Sequence, residues 1–362
     1  MKYLVTGATG HLGANLVRRL LADGKDVRVL LRGRDEPENV AVDGLAVERA
    51  YADLRDAAAV REAMTGVGAV YHVAAKIQTF TGGERDIYDT NVLGTRNVLR
   101  AARDAGAGRV VVTGSLSAVG ITPGRASNED DPFYPFEKHL PYGFTKAFVE
   151  HECWKAVAEG QDVLVATSCA ILGPHDYIPS RMGAMIRDFA NGKMRAYLPG
   201  GFDFVAARDI CEGHVLAMEK GKSGQKYIIS TEFVEVDDMM AMLERITGRP
   251  RPALRLSPGV MNVFAHVSSF LLSSFSPKTP QRFTPFAVRF LQLRRRADTT
   301  KAQTELGYRP TRVEDALREA YEHFVERGII PSPLVPVRPK AAPAGAATNG
   351  AAPRQTPIGA VS

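Results

Sequence analysis

Residues 1–21 read MKYLVTGATGHLGANLVRRLL, and three glycines, Gly7, Gly10 and Gly13, stand three apart between a short apolar run and a helical pattern. Tyr3 to Val5 predicts a strand, and Gly13 to Ala22 a helix with Leu16, Val17, Leu20 and Leu21 on one face. In a strand-loop-helix, glycine lets the backbone turn sharply, lets a ligand reach main-chain N–H groups, and lets helix and sheet pack closely. The helix N-terminus adds unpaired donors and a partial positive charge, which suit a pyrophosphate. The segment predicts a dinucleotide-binding turn. A glycine-rich β-α turn of purely structural purpose is the competing reading.

The same rhythm continues outward from this turn. Val27–Leu31, Ala69–Val73, Arg109–Thr113 and Val163–Ala166 read as short, largely apolar strands. Between them lie helical patterns at Ala57–Met64, Tyr88–Ala105 and Tyr142–Glu159. Apolar strands separated by helices describe a parallel sheet covered on both faces, an α/β doubly wound domain of the Rossmann type. Residues 1–167 form this domain in our reading, and 204–226 return to it as strand, loop and helix. Tyr227–Ser230, a helix at Val236–Thr247 and the remainder of 168–330 give a smaller C-terminal substrate lobe. Residues 331–362 turn to Pro, Ala and Gly, with too little to bury to offset the entropy of ordering, and predict a disordered tail.

Bulk properties narrow the function. The 362 residues are 45% hydrophobic and 24% charged, ordinary for a globular protein with a sizeable core. The net charge of +6 does not predict nucleic-acid binding, because lysines and arginines are interleaved with acids. The densest basic patch, Arg294–Arg296 with Arg282 and Arg289 upstream, reads as a solvated helix face, or else as a contact for an anionic substrate group. Cys153, Cys169 and Cys211 are too few and scattered for a disulfide framework or a zinc site, so no metal is expected. The N-terminus enters a strand without a signal-peptide pattern, which with the thiols suggests a cytoplasmic protein. Val260–Phe275 is shorter than the roughly 20 residues of a spanning helix. It reads as a buried or lid helix, with peripheral membrane contact as the lesser alternative.

Whether a bound dinucleotide is used for chemistry turns on Tyr142 and Lys146, which project from one helical face at i and i+4. A free tyrosine has a pKa of about 10. A neighbouring ammonium favours the phenolate and is expected to lower that value, fitting the hydroxyl for proton transfer to a carbonyl oxygen. The pair follows a valine strand ending in Thr113-Gly114-Ser115, with Tyr142 at a spacing of 27 residues from Ser115.

Together these motifs resemble the extended branch of the short-chain dehydrogenase/reductase superfamily over roughly residues 1–330, and especially its dihydroflavonol-reductase-like and 3β-hydroxysteroid-dehydrogenase-like members. TGATGHLG at 6–13 stands where that family has TGxxGxxG, ADLRD at 52–56 where it brackets adenine, and YHVAA at 71–75 where a strand end passes under the cofactor. NVLGTRNVL at 91–99 matches the next helix, and RVVVTGSLSAVG at 109–120 and YGFTK at 142–146 match the catalytic segments. The resemblance implies cofactor contacts from Gly7, Thr9, Gly10, His11, Leu12, Gly13, Asp53, Leu54, Val73, Ala74, Ala75, Tyr142 and Lys146. It implies Ser115 as the residue holding the substrate oxygen, with Ser117 as runner-up, Tyr142 as proton donor, and Lys146 as the group gripping the ribose. Asn91 takes a bracing position, Asp209 opens a helix, and His72 reads as packed rather than catalytic. Ser168 and Cys169 depart from the family's Pro-Ser pair before Gly173-Pro174, which alters the loop expected beside the nicotinamide.

The expected activity is reduction of a ketone or aldehyde of an apolar small molecule. Phe80, Tyr134, Phe136, Phe144, Tyr177, Phe202, Phe204 and the Phe264–Phe275 stretch lie where the family builds its pocket, although many of them also suit a core. Arg32 ends the second strand where NAD-selective proteins carry an acid, which predicts NADP(H) as the preferred cofactor, with NAD(H) as the alternative. A nucleotide-sugar epimerase, using Arg181, Arg187 and Arg208 on a diphosphate, is the second reading, and a non-enzymatic NADP sensor the third. By the same resemblance, the helices Tyr88–Ala105 and Tyr142–Glu159 form the face of a homodimer.

Overall fold

The computed structural model describes residues 1–77, 83–136, 141–256 and 291–335. Seven strands, all paired in parallel, form the main sheet: β1 (Lys2–Thr6), β2 (Asp26–Leu31), β3 (Glu48–Tyr51), β4 (Ala69–His72), β5 (Arg109–Ser115), β6 (Val163–Ser168) and β10 (Lys226–Ile229). Their spatial order is β3-β2-β1-β4-β5-β6-β10. The order reverses between β1 and β4, and a doubly wound sheet opens its ligand crevice at that switch point.

Strand alternation explains the two layers of helices. Leu4, Leu30, Val70, Val110 and Val165 share one core with α2 (Ala57–Ala63), α4 (Gly94–Asp104) and α5 (Pro141–Ala158). Their chain neighbours Val5, Val29, Tyr71, Val111 and Leu164 share the opposite core with α1 (His11–Ala22) and α7 (Ala207–Lys220). A strand buried on both faces has no polar side to show, hence the unbroken apolar runs. β3, sequence ERAY, at the sheet edge carries charges, and these are paired: Glu48 meets Lys2 at 2.5 Å and Arg28 at 2.7 Å, and Arg49 meets Asp43 at 3.0 Å. The helix expected from Tyr88 starts earlier, as α3 (Glu84–Tyr88), and passes through a π turn at Asp89–Leu93 into α4.

After β6 the chain leaves the main sheet at Cys169. It enters a three-stranded sheet of order β11-β9-β7, made of β7 (Ala170–Leu172), β9 (Gly201–Ala206) and β11 (Glu232–Glu235). β8 (Ala196–Tyr197) and β12 (Leu254–Arg255) pair separately. Helices α6 (Arg181–Ala190), α8 (Val236–Thr247) and α9 (Val313–Glu326) close over a third core containing Phe189, Phe204, Met239, Met240, Leu243 and Phe324. Phe204 is fully buried there, so it belongs to this core and not to a substrate pocket.

Arg295 is also not on a solvated face. It is buried and donates to the carbonyls of Val119 and Gly120, at 2.7 and 2.9 Å, and to Ser127 Oγ. Arg296 lies over the Phe233 ring at 4.5 Å. The arginine patch therefore ties the returning chain to the loop after β5. Phe80, Val260–Phe275, Arg282 and Arg289 lie outside the described residues.

Candidate active site

The glycine turn joins β1 to α1 at the switch point. Gly7 has φ +68°, and a Cβ there would come within 2.6 Å of Ala74 Cα. A Cβ on Gly13 would lie 2.1 Å from the Gly7 carbonyl oxygen, so the helix can approach the strand only without one. Gly10 differs: a Cβ would meet nothing nearer than 3.4 Å, and the residue is exposed as the N-cap of α1. The protein's own packing thus explains Gly7 and Gly13. A bare, outward-facing Gly10 fits a dinucleotide whose pyrophosphate rests on the backbone at that point. His11 opens α1 and is fixed through Nε2 at 3.0 Å from the Pro174 carbonyl, and Leu12 is buried beneath the turn.

The flanks of the crevice follow the expected positions. Thr9, Val73, Ala74 and Ala75 are half-buried at its rim, and Leu54 is buried against α4. Asp53 already holds Arg55, with Oδ1 2.9 Å from Arg55 Nε and Oδ2 2.6 Å from Nη2, which lowers its pKa below the usual carboxylate value. Arg32 stands immediately after β2 and is exposed, but its guanidinium is shared by Glu38 at 3.1 Å and Glu36 at 3.5 Å. The sequence reading named the arginine and overlooked these two acids.

Ser115 ends β5, and Tyr142 lies in the first turn of α5. The Ser115 hydroxyl lies near enough to the Tyr142 phenol to favour its ionised form, and Ser117 Oγ is 2.8 Å from Ser115 Oγ. Lys146, one turn on, is buried and donates to the Thr113 carbonyl at 2.7 Å. The three side chains proposed from sequence are thus gathered at the end of β5.

Their electrostatics correct one expectation. Burial pushes Tyr142 up to about 12, opposed by the Ser115 hydroxyl, so the phenol is not acidified here. The lysine points elsewhere: its Nζ is turned to a backbone carbonyl and lies 6.0 Å from the tyrosine ring centroid. Burial pulls Lys146 itself down to about 8, against the opposing charges of Cys153 and Glu150.

Around this centre the buried polar groups are satisfied in a directed way. His72 is buried and uses both ring nitrogens, at 2.8 Å from Thr6 Oγ1 and 2.9 Å from Thr95 Oγ1. Asn91, inside the π turn, accepts from Lys76 N–H and donates to the Lys76 carbonyl and to Thr145 Oγ1. His214 on α7 is wholly buried between Thr113 Oγ1 at 2.8 Å and the Ile210 carbonyl at 2.7 Å. Thr95 and His214 were not singled out from sequence; a histidine on an apolar helix face is the one signal that pointed there. Asp209 opens α7 and accepts from Thr231 and Thr311, a structural role.

The substrate side is less uniform. Tyr134 and Phe136 are exposed, in edge contact at 5.5 Å, and Phe144 meets Phe133 at 5.5 Å. Phe202 meets Phe204 at a tilt, with ring centroids 4.1 Å apart. Tyr177 is clasped between Arg18 and Arg327, at 5.1 and 4.5 Å from its ring centroid. Two of the three arginines considered for a diphosphate have nearer partners: Arg187 meets Asp188 at 3.0 Å, and Arg208 meets Glu319. Burial raises the Cys169 thiol to about 12, so it is an inert residue at the crossing between the sheets. Among the described residues no cluster of metal-ligating side chains occurs, and no helix is long and apolar enough to cross a membrane.

Comparison with known proteins agrees with this geometry. The model of the NAD dependent epimerase/dehydratase family matches residues 3–230. Sterol demethylase protein B of Methylococcus capsulatus is 44% identical over 330 residues, which span 91% of this chain and 100% of that protein. A putative dihydroflavonol 4-reductase of Synechocystis is 33% identical over 336 residues, spanning 91% and 96%. The crystal structure of gox2253 superposes with a TM-score of 0.79 at 31% identity, over 90% of this chain and 98% of that one. With its seven-stranded parallel sheet and its glycine turn at the switch point, the chain belongs to the NAD dependent epimerase/dehydratase family, within the extended short-chain dehydrogenase/reductases.

Proposed function

We propose that this protein is an NADP(H)-dependent oxidoreductase that interconverts a ketone and an alcohol on a bulky apolar molecule. The observation that carries the reading is the placement of Ser115 at the end of β5, Tyr142 in the first turn of α5 and the buried Lys146 one turn on, its Nζ held by the Thr113 carbonyl of the same strand. When bound, the dinucleotide supplies the hydride. In the reducing direction Ser115 donates to the substrate carbonyl oxygen and holds it beside Tyr142. The Tyr142 O–H bond breaks as the new O–H bond forms on the substrate. A phenol kept protonated by burial suits this acid role at neutral pH. Lys146, still mostly charged at pH 7, grips the ribose and offsets the negative charge left on Tyr142.

The sterol demethylase and dihydroflavonol reductase named among the relatives favour a fused-ring substrate, and the exposed Tyr134 and Phe136 suit one. The cofactor choice rests on Arg32. Residues 1–167, with the helix α7, act as the cofactor domain, and the lobe capped by α6, α8 and α9 faces the substrate. We assign the α4–α5 face to a homodimer, and a cytoplasmic setting fits its three free thiols. The deciding experiment follows NADPH oxidation with cyclic ketones, sterols among them, beside nucleotide sugars and the reverse reaction with NADP. Turnover of a nucleotide sugar and none of the ketones or sterols overturns the reading.

A further inference from the structure

We propose that His72 is a positioning residue that couples the dinucleotide turn to the catalytic helix through two hydrogen-bond runs that meet on Asn91, one at its backbone carbonyl and one at its side-chain amide; this rests on the cofactor and Tyr142 assignments above. The polarity follows from the donor count. Thr95 spends its single O–H on the Asn91 carbonyl at 2.6 Å, so its oxygen can only accept from His72, and Nε2 carries the ring proton. In the neutral ring Nδ1 must then accept, so the Thr6 hydroxyl donates to it, while Thr6 Oγ1 accepts from Ala74 N–H at 3.2 Å. At the far end, Asn91 holds both backbone groups of Lys76 and meets Thr145 Oγ1 at 3.1 Å. Thr145 in turn donates to the Tyr142 carbonyl at 2.9 Å.

One end of the chain therefore sits beside Gly7, under the site of the pyrophosphate, and the other at the first turn of α5. Thr6, His72, Asn91, Thr95 and Thr145 are all buried, so water does not repair a broken link, and each link has one tautomer that satisfies it. A purely packed histidine would need neither matched hydroxyl. Here the hydrogen bonds lead from Thr95, on α4, to the glycine turn through the His72 ring.

The test is direct titration of NADPH, read by its fluorescence without any turnover, on Thr6→Val, Thr95→Val and the double variant. We expect Thr95→Val to weaken NADPH about tenfold, because His72 Nε2–H loses its acceptor and the ring can turn from Thr6. The double variant is expected to bind about as weakly as either single one, since a chain is opened by one cut. Thr95→Ser restores the hydroxyl and should return affinity to within about twofold of wild type, a rescue that a packing role does not predict. Should Thr95→Val fail to fold, Thr95→Ala breaks the same link without an added apolar branch. Effects of the two single variants that add, or a Thr95 variant that lowers melting temperature but binds NADPH like wild type, overturn the coupling while the cofactor reading stands. A wild type that binds neither NADPH nor NADH overturns the cofactor reading, and the coupling with it.

Discussion

In the main sheet the turn after β1 is fixed by backbone atoms, since a Cβ on Gly13 would strike the Gly7 carbonyl at 2.1 Å. In the second lobe, Phe189, Met239, Met240 and Leu243 pack α6, α8 and α9 together through side chains, and Arg245 of α8 pairs with Glu314 of α9 at 3.0 Å. The two regions therefore tolerate change differently. A backbone clash leaves no acceptable substitute, whereas volume-conserving apolar swaps usually cost under about 1.5 kcal/mol. A cofactor common to many enzymes suits the first kind of construction. A substrate that differs between relatives suits the second.

The sharpest test of that contrast removes chemistry without touching the backbone. Tyr142→Phe should lower kcat by about 10²- to 10⁴-fold while the Kd for NADPH stays within about threefold. The hydroxyl is asked only for a proton. Lys146→Met is expected to damage both quantities, because the proposal has Lys146 grip the ribose as well. A Phe variant that keeps a tenth of the wild-type rate on the true substrate would falsify the proton-donor assignment.

The glycines then separate folding from binding within one turn. Gly13→Ala should unfold the protein or lower its melting temperature by roughly 10 °C or more, since the clash is with backbone. Gly10→Ala has room for its methyl and should melt within about 2 °C of wild type, yet bind NADPH at least about tenfold more weakly. If Gly10→Ala binds normally, the bare position serves no ligand.

These outcomes bear on how much was legible beforehand. The main sheet was readable because strands buried on both faces leave unbroken apolar runs, and because the glycine, serine and YxxxK positions carry fixed chemistry. β3 escaped notice because an edge strand can be charged. The second lobe was read only in part, since α6 and α9 are amphipathic helices with no motif, and β7 is only three residues long. Tyr142 shows a different limit. Spacing placed it beside Lys146, but the sign of its pKa shift depends on where the ammonium points, and that is set by the Thr113 carbonyl. Arg32 was found without Glu36 and Glu38 because a loop's acids have no periodicity.

Arg32 supplies the next test of a site made partly of side chains. Arg32→Asp should collapse or reverse the preference for NADPH over NADH by about tenfold to a hundredfold, the worth of a charged hydrogen bond to phosphate. Glu36→Gln with Glu38→Gln should raise the preference, by freeing the guanidinium from its present partners. An unaltered ratio in Arg32→Asp removes Arg32 from cofactor choice.

Lys146 gives the pH dependence. With its value near 8, kcat is expected to fall as pH rises above that point, and the falling limb should vanish in Lys146→Met. Stability moves the other way. Between about 8 and the ordinary 10.5 the folded lysine binds fewer protons than the unfolded one, so this group's contribution to stability rises with pH across that window. A kcat that stays level to pH 9.5 in wild type contradicts a Lys146 that titrates near 8 and must be charged for turnover.

The smallest expected effect lies in the second lobe, at the end of the chain. Residues 331–362 read as one tail from composition, yet residues 331–335 include contacts with the lobe. The Val335 carbonyl accepts the Tyr321 hydroxyl of α9 at 3.0 Å, and a Cβ on Gly248, just after α8, would touch Val335 at 3.0 Å. The tail is therefore expected to divide. Removing 336–362, whose composition gives little to bury, should leave melting temperature and activity unchanged. Removing 331–335 as well leaves the Tyr321 hydroxyl without that acceptor and uncovers the α8–α9 junction, at a cost of about 1 kcal/mol in denaturant unfolding. Because the loss falls in the side-chain-built lobe, NADPH affinity should stay unchanged. A drop in cofactor binding on the longer truncation would mean that the two regions are not as independent as their construction implies, whereas a drop in stability on the shorter one would place part of 336–362 against the body of the protein.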